Sequence, residues 1–432
     1  MSKTFTCLEH EFLRDEKNNR ISFGKEIKYF LKLNKLIFDT KSGEKGLFDV
    51  EGSFVKSKHY VGLISINKKT IQVMPKIFAG SENSHILSNL LYMIKYTKRL
   101  DFKETNLANL KTVDDLFEVI IYIFAKNLFE LLKKDLTKEY TIDERNLNFL
   151  KGKLLISRQF KFNKINKSKF YCEYDKFDEN SLLNIIFKTT VEKLLKFTKS
   201  SINYKLLNSS DFILNDVKST QISHSMISMV KFNRTNHVYK PVFELAKLLL
   251  FGNSTQLSSD NINTFSIMFD MNKLFEEFIS EFIRKNKKFI SNNITNVFLQ
   301  RSEKSIFNET SFTRFSLQPD IIIDFSDNRR VIIDTKYKKL ETGAPNCGVA
   351  TSDIYQMFAY GNRYFDESSK KKQLILLYPM YGQDSLKASK SFDDGLIAER
   401  EGIFIYIKTI DLHKNLRESR YELINQFREI LQ

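Results

Sequence analysis

Cysteine is scarce in this chain. Cys7, Cys172 and Cys347 lie far apart and form no CxxC pair, which argues against a disulfide framework or a thiolate zinc site and points to a reducing compartment. The six histidines show no paired metal-ligand spacing. No apolar run approaches the length that spans a bilayer, and the stretch MSKTFTCLEHEFLRDEKNNR carries no signal-like apolar core. The expectation is a cytoplasmic protein with no membrane segment. A GxxxxGK[ST] phosphate loop is also missing, since SGEKGLF and SFGKEI lack its spacing. Any NTP-driven motor must therefore come from another chain.

What the chain has in excess is positive charge. Its 68 Lys and Arg against 52 Asp and Glu leave a formal net charge of +16. That balance favours a polyanionic partner, nucleic acid before an anionic membrane. With 432 residues, 42% hydrophobic and 28% charged, the composition is that of a soluble globular protein with room for two to three domains.

The patterning predicts a multidomain α+β protein. Residues 1–82 read as a β-rich N-terminal domain, because ISFGKEIKYFLKL, YVGLISIN and TIQVMPKI are short β-branched and aromatic runs between polar turns. Residues 83–255 read as mainly helical: HILSNLLYMIKYTKRL, VDDLFEVIIYIFAKNLFELLKKDL, SLLNIIFKTTVEKLLKFTKS and VFELAKLLLF return apolar residues at helical spacing. GNSTQLSSDNIN, residues 252–263, is the best linker. Residues 256–432 then read as an α/β domain with a helix over about 266–286, a hairpin, a helix from 353, two strands and a terminal helix.

The hairpin carries the chemistry. In LQPDIIIDFSDNRRVIIDTKYKKL, residues 317–340, the runs IIIDF and VIIDTKY join through SDNRR. If the loop centres on Asp327, facing residues have numbers that sum to 654. Asp320 then lies opposite Asp334, and Lys336 shares a face with Asp334. A slip of one residue would separate the two aspartates. Adjacent like charges are unfavourable without a cation between them, and Mg²⁺ needs only one or two carboxylates. Lys336 would then orient or help deprotonate a water aimed at a phosphodiester. The plainer alternative is a polar hairpin end closed by a Lys336 ion pair. Asp324, facing Arg330, fits a surface role.

Two flanking helices bear on this. In SIMFDMNKLFEEFISEFIRK, Glu277 falls on the line of Asp270 and Arg284, the solvated face, whereas Glu276 lies within the apolar stripe between Phe269 and Ile283. A carboxylate there is costly without a partner. In SDIYQMFAY, Ser352 is a candidate N-cap, and Gln356 and Tyr360 share one helix face. QFKFNKINKSKF, residues 159–170, reads as a solvated basic hairpin, or else as a DNA-backbone contact.

Glu276 on a helix, Pro319-Asp320, Asp334-Thr335-Lys336, and Gln356 with Tyr360 together resemble the PD-(D/E)xK nuclease superfamily in its RecB-like form. A narrower likeness covers nearly the whole chain: YVGLISINKKTIQVMPKI, LKGKL, CEYDKFDENSLLNIIF, NHVYKPVFELAKLLL and FDMNKLFEEFI resemble the McrC family, the nuclease subunit of McrBC-type modification-dependent restriction systems. The resemblance implies a C-terminal PD-(D/E)xK nuclease domain cutting double-stranded DNA, methylated or not. It implies Mg²⁺ held by Asp320 and Asp334, with Glu276 and the Thr335 carbonyl, while Lys336, Gln356 and Tyr360 complete the site. It also implies a McrB-like AAA+ GTPase hexameric ring as partner, docked by the N-terminal part and stimulated to hydrolyse GTP. Two other readings stay open: a non-cleaving adaptor of such a ring, and a stand-alone DNA-binding protein.

Overall fold

A computed structural model describes the chain outside residues 1–2, 16, 37–45, 67–68, 98–114, 135, 137–138, 166, 252–263, 306–314 and 366–371. The expected linker thus lies outside the described residues. In the N-terminal part, β1 (Lys3–Leu8), β4 (Tyr60–Ile66) and β5 (Lys69–Met74) form a sheet, with a small ladder of β2 (Phe48–Glu51) and β3 (Phe54–Ser57) beside it. ISFGKEIKYFLKL, expected as strand, instead forms helix α1 (Ile27–Leu36). Its adjacent residues Tyr29 and Phe30 are both buried, which a half-buried strand cannot arrange and a helix can.

The region expected to be mainly helical supplies α2 (Asn83–Tyr96) and α3 (Leu116–Leu132), then α5 (Leu182–Leu195), α6 (Ser201–Ile213) and α8 (Lys240–Phe251). Between them stand β6 (Glu139–Leu147), β7 (Lys153–Leu154) and β8 (Phe170–Asp178), a three-stranded sheet that helical patterning did not foretell. The basic segment 159–170 is no hairpin: it runs from the short helix α4 (Ile156–Phe162) into β8, with Phe160, Phe162 and Ile165 exposed. A further short helix, α7, spans His224–Met229.

The helix expected from about 266 begins later. Thr264–Asp270 is strand β9, antiparallel to β4 from Tyr60↔Asp270 to Ile66↔Thr264. Its close seating uses Gly62, whose φ is +138° and where a Cβ would sit 2.0 Å from the Ile267 carbonyl oxygen. The chain after residue 255 thus begins by completing the N-terminal sheet, in the order β1-β5-β4-β9. Asp270, expected on a solvated face, is buried. It caps α9 (Met271–Ile290) by accepting from Asn272 N at 2.9 Å and Lys273 N at 3.3 Å.

The C-terminal sheet has six strands in the order β10-β13-β14-β15-β17-β16. They are β10 (Ile294–Leu299), β13 (Ile321–Phe325), β14 (Arg330–Thr335), β15 (Lys372–Pro379), β16 (Leu396–Ala398) and β17 (Ile403–Ile410), with a small ladder of β11 (Lys304–Ser305) and β12 (Ser316–Leu317) alongside. β14, β15 and β17 run parallel, and both edges are antiparallel. Such strands need crossovers, which α10 (Thr351–Arg363) and α11 (Gln383–Lys390) provide. α10 packs on one face against Ile322, Ile332, Leu374 and Ile405. α9 and the terminal α12 (Arg420–Ile430) cover the other. That second face is continuous with the helical middle and the N-terminal sheet: Val61, Phe124, Phe187, Phe278, Ile321 and Phe427 belong to one core. Among the described residues, no helix is long and apolar enough to cross a membrane.

The hairpin keeps the expected register. Ile321↔Ile333, Ile322↔Ile332, Ile323↔Val331 and Asp324↔Arg330 all face each other. Asp320 and Asp334 are therefore the next positions outward.

Candidate active site

Asp334, the penultimate residue of β14, is almost completely buried, at 2% exposure. Its Oδ2 meets the Lys336 ammonium at 2.5 Å. Asp320, just before β13, is held by its neighbour: Thr335 donates to Asp320 Oδ2 from both its N–H and its hydroxyl, each at 2.8 Å. Thr335, expected through its carbonyl, thus also acts as a donor that fixes an aspartate.

The electrostatics follow from crowding. Burial pushes the Asp320 carboxyl well above the ordinary aspartate range, and the negative charges of Asp334 and Glu276 push it further, against the two Thr335 hydrogen bonds. Asp334 is also raised, chiefly by burial, with Lys336 opposing. The Lys336 ammonium is raised: Asp334, Asp353 and Asp320 outweigh its desolvation.

Glu276 sits half-buried on α9 and accepts a hydrogen bond from Gln300 Nε2, while Gln300 N donates to the Asp320 carbonyl at 3.0 Å. The helical phase thus brings Glu276 to the aspartate pair. Glu277 is half-buried as well, although its helical phase predicts a solvated face. On α10, Gln356 Oε1 accepts from Lys336 Nζ at 3.0 Å, Gln356 Nε2 donates to the Tyr360 hydroxyl at 2.6 Å, and that hydroxyl donates to Gln318 O at 3.0 Å. Ser352 does not cap this helix; Ala350 occupies that position with no side-chain bond.

Two residues were missed. Asp353 is buried, 3.9 Å from Lys336 Nζ and 3.1 Å from Lys338 Nζ. Its signal was its place three residues before Gln356, on the same helix face. Gln300 follows β10, with φ at +48°, and nothing local marks it. Asp324 behaves as expected. It pairs with Arg330, Oδ1 to Nε at 2.6 Å and Oδ2 to Nη2 at 3.0 Å.

The donor set suits a hard divalent cation. It is all oxygen, two carboxylates lie side by side, and a third is near. Among the described residues, no group of three or more His, Cys, Asp or Glu side chains is arranged to hold a metal ion, so the protein's own share here is the aspartate pair.

Known proteins resemble this chain in sequence and fold. A curated relative, the type IV methyl-directed restriction enzyme EcoKMcrBC of Escherichia coli (strain K12), is 21% identical over 302 residues, covering 67% of this chain and 85% of the relative. Two solved structures from Thermococcus gammatolerans are similar. One is a refined half-complex from a tetradecameric assembly of McrB AAA+ hexamers with bound McrC, with TM-score 0.72, 24% identity and 99% of each chain covered. The other is a cryo-EM structure of the McrBC complex, with TM-score 0.53 and 30% identity over 66% of this chain and 88% of that one. A family model described as the McrBC 5-methylcytosine restriction system component matches residues 55–379, a span that holds every residue of the candidate site. The chain therefore belongs to the McrBC 5-methylcytosine restriction system component family.

Proposed function

We propose that this chain is the DNA-cleaving subunit of a GTP-dependent McrBC-type complex. In this reading it is a Mg²⁺-dependent endodeoxyribonuclease of the PD-(D/E)xK type that stimulates the GTPase of an AAA+ partner ring. The observation that carries the reading is the juxtaposition of Asp320 and Asp334 in register at one end of a hairpin, with Lys336 closing on Asp334 at 2.5 Å. Asp320 and Asp334 would hold the ion, with Glu276 beside them. When bound, Mg²⁺ supplies Lewis-acid polarisation of the phosphate and makes an attacking water more acidic.

The chain's own residues supply the rest. Lys336 places a positive charge where negative charge develops on the phosphate and orients the attacking water. Gln356 and Tyr360 fix the ammonium through a chain of two hydrogen bonds, so its position does not depend on the ion alone. Thr335 holds Asp320 by a bidentate donor contact. The partner reading draws on the likeness to McrC bound to McrB AAA+ hexamers. The duplex-DNA reading draws on the net charge of +16. Because every acid and the lysine of the motif are in place, an active enzyme is favoured over a non-cleaving adaptor.

The test is cleavage and GTP turnover by the purified chain, with and without an AAA+ GTPase ring. Cutting of duplex DNA that requires Mg²⁺, GTP and the ring is expected. Stimulated GTP turnover with no cutting would make the chain an adaptor. DNA retention with neither activity would make it a binding protein.

A further inference from the structure

The N-terminal sheet reaches the proposed cleavage site through one buried carboxyl. Glu9 follows β1 and is fully buried; its Oε1 accepts from Lys76 N at 2.8 Å and from the Tyr337 hydroxyl at 2.5 Å. Burial pushes this carboxyl up to about 7, against the hydrogen bonds from Tyr337 and Lys76, and with a small upward push from Asp270. A carboxyl is an expensive way to fill a core. Unlike an apolar side chain, it can hold the Lys76 amide and the Tyr337 hydroxyl at once.

Tyr337 is the residue after Lys336. Strand alternation sends it to the opposite face, into the core beside Phe275 of α9 (5.7 Å between ring centroids) and Tyr381 (6.3 Å). Regular pairing of β14 ends at Thr335↔Leu377, and Lys336 N still donates to Leu377 O at 2.9 Å. Lys336 thus carries the last strand bond itself, its carbonyl accepts from Lys338 N at 2.9 Å, and the Tyr337 anchor holds the residue that follows. The same N-terminal sheet also reaches α9. His59 O accepts from Met271 N at 2.9 Å, and Asp270 at the end of β9 caps the helix that carries Glu276.

We propose that Glu9 is a positioning residue for cleavage, fixing the backbone at Lys336 through Tyr337 and thereby tying the seating of the N-terminal sheet to the placement of the ammonium. This inference rests on reading Asp320, Asp334 and Lys336 as the cleavage site.

The experiment uses the full chain with its AAA+ ring, Mg²⁺ and GTP. It compares Glu9→Ala, Glu9→Gln, Tyr337→Phe, the Glu9→Ala/Tyr337→Phe double variant and Lys336→Ala. Glu9→Ala and Tyr337→Phe should each lower kcat by about tenfold or more, with KM for DNA within about twofold, as misplacement of a reacting group predicts. The double variant should be no worse than the worse single one, because both break the same link. Glu9→Gln keeps an acceptor oxygen and should recover most of kcat. Amide exchange at Lys336 and Tyr337 should quicken in Glu9→Ala. Tyr337→Phe keeps the ring and its packing, so it tests the link even if Glu9→Ala folds poorly. A dead Lys336→Ala beside Tyr337→Phe at wild-type kcat overturns the coupling alone, as do additive losses in the double variant. Wild-type cleavage by Lys336→Ala overturns the site and the coupling with it.

Discussion

The two ends of one hairpin treat their aspartates in opposite ways. At the turn end, Asp324 faces Arg330 and makes two short hydrogen bonds to its guanidinium, which also donates to Tyr364 O at 2.8 Å. At the open end, the same register sets Asp320 toward Asp334, and each carboxyl is raised by burial and by neighbouring acids. One end neutralises its charge with a side chain. The other leaves negative charge that Lys336 offsets only in part and that suits a cation from solution. Strand register decides both outcomes. The lesson is that a site of this kind is recognised by which charges the pairing fails to match.

The largest expected effect comes from breaking the open end. Asp334→Ala and Lys336→Ala should each lower cleavage by at least about 10²- to 10³-fold, the usual loss when a charge-stabilising group is removed from a reacting centre. Their stabilities should diverge. Asp334→Ala relieves repulsion on Asp320 and should melt near the wild type in EDTA, whereas Lys336→Ala leaves buried carboxylates without their cation and should melt lower. The comparison of the two ends collapses if both variants cut DNA normally.

Next in size is the response to the ion itself. Because Asp320 and Asp334 are raised in the folded state, the folded chain holds more protons than the unfolded one. Their contribution to stability is thus present at acid pH and lost as pH rises through those raised values. Mg²⁺ should restore about 1–3 kcal/mol at pH 8 and less near pH 5.5, read as a shift in melting temperature. Asp320→Asn should remove most of that Mg²⁺ response and flatten the pH dependence measured in EDTA. An equal Mg²⁺ shift in Asp320→Asn and wild type would mean the ion binds elsewhere.

Glu276 and Glu277 sharpen the comparison on a neighbouring element. Glu276 is bonded to Gln300 and raises both aspartates. Glu276→Gln should lower cleavage or Mg²⁺ affinity by about tenfold, near 1.4 kcal/mol, and Glu277→Gln should do neither. Equal effects in a cleavage titration against Mg²⁺ would show that helix phase does not select the third acid.

Much of the site was legible because it is local. IIIDF and VIIDT are apolar runs joined by the short SDNRR connection, so the register and the facing of Asp320 and Asp334 followed from counting. The Gln356–Tyr360 pair followed from helical spacing. What was hidden is non-local. TFSIMFD reads equally well as helix or strand, and only β4, about two hundred residues earlier, makes it β9. The sheet of β6, β7 and β8 interleaves charged and aromatic residues, so no apolar period announces it. Glu9 meets Tyr337 across 328 residues of chain, and Gln300 earns its place only through the end of β10.

The smallest expected effect belongs to the turn end, and it completes the contrast. Asp324→Ala removes two charge-assisted bonds from a guanidinium that keeps its bond to Tyr364 O. Both partners are partly exposed, 35% for Arg330 and 23% for Asp324, so solvent screens the pair and the loss should be about 1 kcal/mol or less of stability. Cleavage, Mg²⁺ affinity and their pH dependence should stay at wild-type values, because the turn lies at the far end of the hairpin from Asp320 and Asp334. Chemical denaturation of Asp324→Ala, Arg330→Ala and the double variant would give the pair's coupling free energy, and a DNA-nicking assay on the same proteins would give its bearing on function. A positive coupling with unchanged nicking keeps the two ends distinct. Loss of nicking in Asp324→Ala, with the protein folded and Mg²⁺ still bound, would mean that the hairpin acts as one rigid lever and that its matched end serves cleavage as much as its unmatched one.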